Sequence, residues 1–61
     1  MLTIGSNYIL IRDRVHLKAK FHGIEILNSI IRLEFRSVDG RVEIVTQDDI
    51  DTDRIAIVSH E

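Results

Sequence analysis

The chain has 61 residues, carries a formal net charge of -2 and contains no cysteine. A chain this short forms a single domain, residues 1–61, and the lack of cysteine excludes both a disulfide framework and a cysteine-based zinc site. Because 44% of the residues are hydrophobic, with eleven isoleucines and five valines among them, the composition predicts a folded and mostly β protein.

The N-terminal sequence MLTIGSNYILIRDR places its positive charges after the apolar run, which is the wrong order for a secretory leader. No apolar stretch approaches the roughly 20 residues that span a bilayer. We therefore expect a cytoplasmic protein with no membrane partner.

The first predicted elements are strand pieces at residues 2–4 and 8–12, which are separated by Gly5-Ser6-Asn7. Both faces of Tyr8-Ile9-Leu10-Ile11 are apolar, so one face is expected to lie against the core and the other against a second subunit. Together with the apolar segment near the end of the chain, this pattern predicts an oligomer interface formed by Tyr8, Leu10, Ile55 and Ile57.

A basic stripe follows in the next segment, where six consecutive even-numbered positions are basic and Val15, Leu17, Ala19 and Phe21 alternate with them. Side chains of a strand alternate between its faces, so this spelling predicts a basic face backed by an apolar face. Positions two apart are about 6.6 Å apart, which is comparable to the roughly 6–7 Å between successive phosphates of an extended nucleic-acid strand. The candidate phosphate contacts are Arg12, Arg14, His16, Lys18, Lys20 and His22.

The alternative interpretation of the basic stripe is that its charges only solvate an exposed strand and prevent edge-to-edge aggregation. Aromatic side chains, on which bases could stack, are scarce in this chain. Phe21 and Phe35 lie on predicted core faces, which leaves Tyr8 as the one candidate. If nucleic acid binds, phosphate contacts are therefore expected to dominate.

The sequence pattern I-x-D-x-V around Asp13 also suggests a turn there, which would remove Arg12 and Arg14 from the basic row.

The middle of the chain contains the clearest local signal, an Asp39-Gly40 hairpin. A two-residue loop there puts Phe35 opposite Ile44 and Arg36 opposite Glu43, and it predicts an apolar face of Leu33, Phe35, Val42 and Ile44. Upstream, His22-Gly23 marks a turn or a bulge. Residues 24–33 fit a strand or a helix, and we favour a strand because the hairpin needs an extended partner.

The last segment contains Thr46-Gln47-Asp48-Asp49, which can cap a short helical turn near residues 47–53, and then a final apolar strand or interface segment at residues 55–58. The predicted fold class is all-β: a small antiparallel meander or barrel of five to six short strands, including the Asp39-Gly40 hairpin.

Charge is distributed unevenly along the chain. Residues 1–41 carry seven Lys or Arg against four acids, whereas residues 42–61 carry one Arg against six acids. The two halves are expected either to neutralise each other or to face different neighbours. The spacing Asp49-x-Asp51-x-Asp53 copies the start of an EF-hand loop, but Arg54 and His60 stand where glycine and glutamate are required.

No other spacing indicates chemistry. His16, His22 and His60 lack the short spacing of a zinc site, and the serines lie in no recognisable nucleophile context. We therefore expect no metal, no cofactor and no enzymatic activity.

Several short motifs give the chain a resemblance to a known family. They are Met1-Leu2, Ile11-Arg12-Asp13-Arg14-Val15, Asn28 with Ile31-Arg32-Leu33, and Val42-x-Ile44 before Asp48-Asp49-Ile50. The order of these motifs resembles the carbon storage regulator (CsrA/RsmA) family over residues 1–50. That resemblance implies a small dimeric RNA-binding protein.

The chain also departs from that family. Residues 3–7 hold none of the arginines with which the family reads RNA, and Gln47 replaces a basic residue. Residues 38–41 replace the family's A-P-K loop, and residues 55–58 fit its closing helix badly. No binding residue carries over, and a generic SH3-like small barrel accounts for the same pattern.

Two functions from different classes remain. The first is a non-enzymatic RNA or nucleic-acid-binding homodimer that uses the basic strand face, whose affinity falls steeply with salt. The second is a protein–protein interaction or assembly module whose apolar surface makes the contact, while the charges keep it soluble.

Overall fold

The computed structural model describes residues 2–60, so Met1, which belongs to the Met1-Leu2 motif above, and Glu61 lie outside the described residues. The elements in this range are β1 (Asn7–Arg12), β2 (Val15–Leu27), β3 (Ile30–Ser37), β4 (Val42–Thr46), α1 (Gln47–Asp51) and β5 (Ala56–Ser59). The five strands form one antiparallel sheet in the order β4-β3-β2-β1-β5. This confirms the predicted small all-β antiparallel fold.

Two tight turns set the register of the first three strands. Asp13-Arg14 joins β1 to β2, and Asn28-Ser29 joins β2 to β3. All four turn residues have positive φ, between 49° and 68°, as a two-residue type I′ hairpin loop requires. Residues 24–33 are therefore extended apart from this turn, which confirms the strand prediction.

The strand predicted at residues 2–4 is wrong. The Ser6 N–H donates to the Thr3 carbonyl at 3.1 Å, and Gly5 has a φ of +90°. The chain therefore turns before β1 begins. Glycine suits this turn because it adopts positive φ without the steric cost of a side chain.

The hairpin that contains Asp39-Gly40 is present, but its predicted register is wrong by one residue. Ser37 and Arg41 close a three-residue loop, in which the Ser37 N–H donates to the Arg41 carbonyl at 2.9 Å and Gly40 has a φ of +88°. The Arg41 N–H in turn donates to the Ser37 hydroxyl at 3.1 Å. Three-residue hairpin loops commonly combine a type I turn with one residue in the left-handed region, which is Gly40 here.

The shift in register changes the face that β4 turns towards the core. Leu33 pairs with Val45, and Phe35 pairs with Glu43. Val45 is consequently buried, whereas Val42 is 49% exposed. Val42 and Ile44 therefore leave the predicted apolar face, because neighbouring positions of a strand point to opposite sides.

The helical turn predicted near residues 47–53 is confirmed as α1. The Asp49 N–H donates to the Thr46 hydroxyl, and the Thr46 N–H donates to the Asp49 carboxylate, both at 3.1 Å. This reciprocal capping box satisfies two backbone N–H donors at the start of a helix of only five residues.

The core lies on one side of the curved sheet, here called the core face. Its three rings contact one another: the Phe21 and Phe35 centroids are 5.2 Å apart, and Tyr8 meets both edge-on. The buried apolar residues are Tyr8, Leu10, Ala19, Phe21, Leu33, Phe35, Val45 and Ile55. The opposite side of the sheet is called the outer face.

A β-bulge divides β2 into two halves. Phe21 pairs with Phe35, whereas Gly23 pairs with Glu34, so His22 is the extra residue. Odd-numbered residues of β2 face the core before the bulge and even-numbered residues face it afterwards, because the inserted residue shifts the alternation by one.

Candidate nucleic-acid interface

The basic stripe forms a continuous row only in the first half of β2. His16, Lys18 and Lys20 are exposed on the outer face, since Leu17, Ala19 and Phe21 between them turn towards the core. Their neighbours on β1 are uncharged: Ile11, Ile9 and Asn7. Consecutive members of the row are about 6.6 Å apart along the strand.

Arg12 and Arg14 do not belong to this row. Arg12 lies two residues after the buried Leu10 and pairs with Val15, so it shares their face of the sheet, which is opposite the face of Lys18. Arg14 lies in the turn with a φ of 68°. The six-residue stripe predicted from the spacing is thereby reduced, because the chain reverses direction at Asp13-Arg14.

His22 extends the basic surface from its position in the bulge. It is exposed, and it lines a shallow depression on the sheet together with Lys18, Lys20 and Arg36. The bulge thus brings a third basic residue of β2 beside the two lysines.

Arg36 of β3 is a member of this site that the sequence did not reveal. It pairs directly with Lys20 across the β2–β3 register. Counting back from the Asn28-Ser29 turn without a bulge would instead have placed Ser37 opposite Lys20. The sequence signal that could have found Arg36 is therefore the bulge at His22-Gly23, combined with the position of that turn.

The four residues Lys18, Lys20, His22 and Arg36 are here called the basic depression. Like charges directly opposite each other destabilise an antiparallel pair, and Lys20 and Arg36 stand in that relation. Arg36 has an acidic partner in Glu34, with 3.5 Å between Nε and Oε2. No ion pair within residues 2–60 involves Lys18 or Lys20.

Within residues 2–60 the other ion pairs are local, so the acids described in the C-terminal part form no ion pair with the basic depression. Arg54 binds Asp48 and also Asp49, the latter at 3.1 Å. Glu25 pairs with Arg32, and Asp39 pairs with Arg41. Each of these cations lies close in sequence or register to its acid. Within residues 2–60, the four Lys or Arg residues without an ion pair are Arg12, Arg14, Lys18 and Lys20.

No Phe or Tyr ring is available for base stacking. The chain has two Phe and one Tyr, and all three are buried. The Tyr8 hydroxyl accepts a hydrogen bond from the Thr3 N–H at 2.7 Å. Tyr8 is therefore a core residue with a satisfied polar end, and the prediction that it could serve as a stacking platform is wrong.

The oligomer interface predicted from the apolar pattern also needs correction. Tyr8, Leu10 and Ile55 are buried among residues of the same chain, and Ile57 packs against them. The side chains of Tyr8, Leu10 and Ile55 are therefore not available to a second subunit while this fold is intact, whereas Ile57 is only partly buried.

The acidic segment supports the helix and shows no ligand site. Hydrogen bonds from the Thr46 backbone and side chain, followed by those from Arg54, hold the pKa of the Asp49 carboxyl below its ordinary value. Residues 2–60 contain no group of three His, Cys, Asp or Glu side chains that could hold a metal ion. Among the described residues, the single helix is too short to cross a membrane.

Comparison with known proteins adds no relative from which a function could be transferred. The chain matches no protein-family model, no curated protein and no solved structure.

Proposed function

We propose that this chain is a non-enzymatic β domain that binds RNA or another nucleic acid through its phosphates, with Lys18, Lys20 and Arg36 as the principal contacts and His22 at the rim. The observation that carries the proposal is the pairing of Lys20 with Arg36 beside Lys18, with no ion pair for either lysine within residues 2–60. An anion in the basic depression would relieve this repulsion.

The spacing of the charges supports a polyanion as the ligand. Lys18 and Lys20 are about 6.6 Å apart along β2, and the Cα atoms of a directly opposed pair such as Lys20 and Arg36 are about 5.5 Å or less apart. The cations therefore form an L-shaped group that can touch successive phosphates of one strand. Because every Phe and Tyr ring is buried, the contacts are mainly with the backbone and carry little sequence preference.

The test is a titration of labelled single-stranded RNA and of duplex DNA at about 50 and 200 mM salt. Three neutralised phosphates on a single strand predict a fall in affinity of roughly 20-fold over that range. Lys18→Glu/Lys20→Glu should abolish most of the binding and flatten its salt dependence.

The chain offers a matched control for this variant. Arg12→Glu/Arg14→Glu makes the same change in net charge, but neither residue lies in the row on the outer face. It should therefore weaken binding far less. Equal effects of the two double variants would contradict the assignment of the site, and absence of binding at 50 mM salt would contradict the function.

A protein-interaction or assembly module is the second candidate, and the exposed apolar residues near the Asn28-Ser29 turn favour it. Ile24 and Ile26 are 63% and 69% exposed, which is unusual for neighbouring large apolar side chains. A homodimer is part of either proposal. The resemblance to the carbon storage regulator family and the cytoplasmic location both stay predictions.

A further inference from the structure

The second half of β2 and the start of β3 form a ribbon, residues 23–31, that extends beyond the rest of the sheet. Ile24 and Ile26 point to the core face of this ribbon, as does Ile31 opposite Ile26. The more distal pair, Leu27 and Ile30, lies on the outer face and is also exposed. Taken together, the exposed surface of these five residues equals that of more than two fully exposed residues.

One edge of this ribbon is unpaired. Strand β1 pairs with β2 only from Val15 to Lys20. Hydrogen-bonded and non-hydrogen-bonded pairs alternate along an antiparallel ladder. Leu27 and Ile30 flank a two-residue turn and form a hydrogen-bonded pair, and Glu25 therefore also bonds to β3. The N–H and C=O groups of Ile24 and Ile26 point away from β3. Apolar side chains and free backbone groups therefore coincide at the same two residues.

We propose that a second copy of this chain pairs with this edge, antiparallel and about a two-fold axis, with Ile24 of one copy opposite Ile26 of the other. This register uses every free backbone group of both residues and forms four inter-chain hydrogen bonds. It also brings Ile24 and Ile26 side chains together on the core face. The inference stands apart from nucleic-acid binding, because it uses none of the residues in the basic depression.

Charge is compatible with this arrangement. Glu25 of the two copies would meet at the axis on the outer face, but each Glu25 already pairs with its own Arg32, with 3.7 Å between Nη1 and Oε1. The charges then run Arg32, Glu25, Glu25, Arg32 across the two copies, so each arginine offsets part of the repulsion between the two opposed glutamates, and the apolar contacts on the core face must exceed the rest. On the core face the ribbon carries no charge, so a complementary surface must be apolar and must offer a strand edge, as the same ribbon of a second copy does.

The available area fits a dimer of modest affinity. The accessible surface is 4566 Å², about 500 Å² more than the roughly 4,000 Å² expected for a compact protein of 7.0 kDa. If each copy buried an area equal to that excess at the ribbon, the interface would cover about 1,000 Å² in total, which lies at the lower end of specific interfaces. Left uncovered, an apolar strand edge promotes open-ended aggregation, whereas two-fold pairing closes it.

Sedimentation equilibrium on the full chain without nucleic acid tests the pairing. We expect the apparent mass to rise from 7.0 kDa towards twice that value as the concentration increases from about 10 µM to 1 mM. Ile26→Lys should raise the dimer dissociation constant at least about 100-fold, because the substitution enters a two-fold interface twice.

Val15→Lys is the matched control, since Val15 lies at the other end of the same strand and is 65% exposed. It should leave the mass distribution unchanged, and circular dichroism should show that both variants fold. A wild-type chain that stays monomeric to 1 mM would show that a second copy does not bind the ribbon, and this would overturn the proposal. A dimer that persists in Ile26→Lys would overturn it as well.

Amide hydrogen exchange separates edge pairing from other modes of association. The Ile24 and Ile26 amides should exchange more slowly as the concentration rises, whereas the Glu25 amide, which bonds to β3 in either state, should change little. A dimer in which the Ile24 and Ile26 amides still exchange rapidly would contradict the proposed pairing. Loss of nucleic-acid binding with retained dimerisation would affect only the function proposed above.

Discussion

Replacing Lys20 by glutamate is expected to stabilise the fold while weakening the binding of nucleic acid. Lys20 lies directly opposite Arg36, and like charges at such positions destabilise the strand pair. Its neighbour on β1 is the uncharged Asn7, so the adjoining strand offers no acid to offset the repulsion. The concentration of positive charge in the basic depression is expected to reduce stability in this way, and the cost can be measured.

The expected gain follows from the charges around the pair. A cross-strand charge pair changes stability by about 0.2–1 kcal/mol relative to a neutral pair. Lys20→Glu removes a repulsion and adds an attraction, but Arg36 already binds Glu34 at 3.5 Å and must be shared. We expect an increase of about 0.5–1 kcal/mol in the free energy of unfolding, which corresponds to about 2–8 °C in Tm for a small domain.

Thermal unfolding followed by circular dichroism at low and high salt measures this effect. The gain should shrink at about 1 M salt, where exposed charges are screened within about 3 Å. Lys18→Glu is the control, because it makes the same charge change next to Ile9 and beyond the last β2–β3 pair, Ala19 with Ser37. If Lys20→Glu were no more stable than Lys18→Glu, the reasoning about like-charge repulsion would be refuted.

Three further substitutions test the packing and the helix cap. Val45→Ala should lower the free energy of unfolding by about 2–3 kcal/mol in urea denaturation, whereas Val42→Ala should change it by less than about 0.5 kcal/mol. A larger effect of Val42→Ala than of Val45→Ala would instead support the register of a two-residue loop. Thr46→Ala removes the capping hydroxyl and should cost about 1 kcal/mol, seen as a Tm lower by about 4–8 °C; an unchanged Tm would show that the cap adds nothing. The lowered pKa of Asp49 predicts stabilisation that is complete above its ordinary value of 3.8 and lost as pH falls through the lower folded pKa. Asp49→Asn should therefore reduce Tm near pH 7, and its difference from the wild type should close in melts below pH 3.8; a constant difference would contradict the shift.

The alternation of the sequence was sufficient to predict most of the core but not the register of β4. Phe21 and Phe35 are buried as expected, because each lies between two polar residues in a strand whose apolar and polar residues alternate. Residues 42, 44 and 45 are all apolar, so two registers each bury some of them. The hydrogen bond from the Arg41 N–H to the Ser37 hydroxyl fixes the loop at three residues, and period alone does not reveal that bond.

The first strand shows a different limit of sequence reasoning. In Tyr8-Ile9-Leu10-Ile11 both faces are apolar, so periodicity cannot say which face meets the core. Packing of the rings decides it: Tyr8 meets Phe21 and Phe35 edge-on. Ile9 and Ile11 then lie half-buried on the outer face. Three of the four residues of the predicted interface, Tyr8, Leu10 and Ile55, belong to the core that the chain buries by itself.

The basic site was predicted in part, for a reason that lies in β2. Lys18 and Lys20 followed from alternation, since they occupy the first half of the strand. Arg36 did not, because its place opposite Lys20 depends on the one-residue bulge at His22. A register counted from the Asn28-Ser29 turn without the bulge residue His22 puts Ser37, and not Arg36, opposite Lys20.

The same bulge separates the two proposed surfaces. Without the extra residue, Ile24 and Ile26 would continue the outer row of Lys18 and Lys20, and Glu25 would turn towards the core. With it, the cations stay on the outer face, and the two isoleucines lie on the core side of a free strand edge. The nucleic acid and the second copy proposed above would therefore not compete for the same side chains. Because the substituted side chains share no contact, the effects of Lys18→Glu/Lys20→Glu and Ile26→Lys on stability should be additive when the variants are combined.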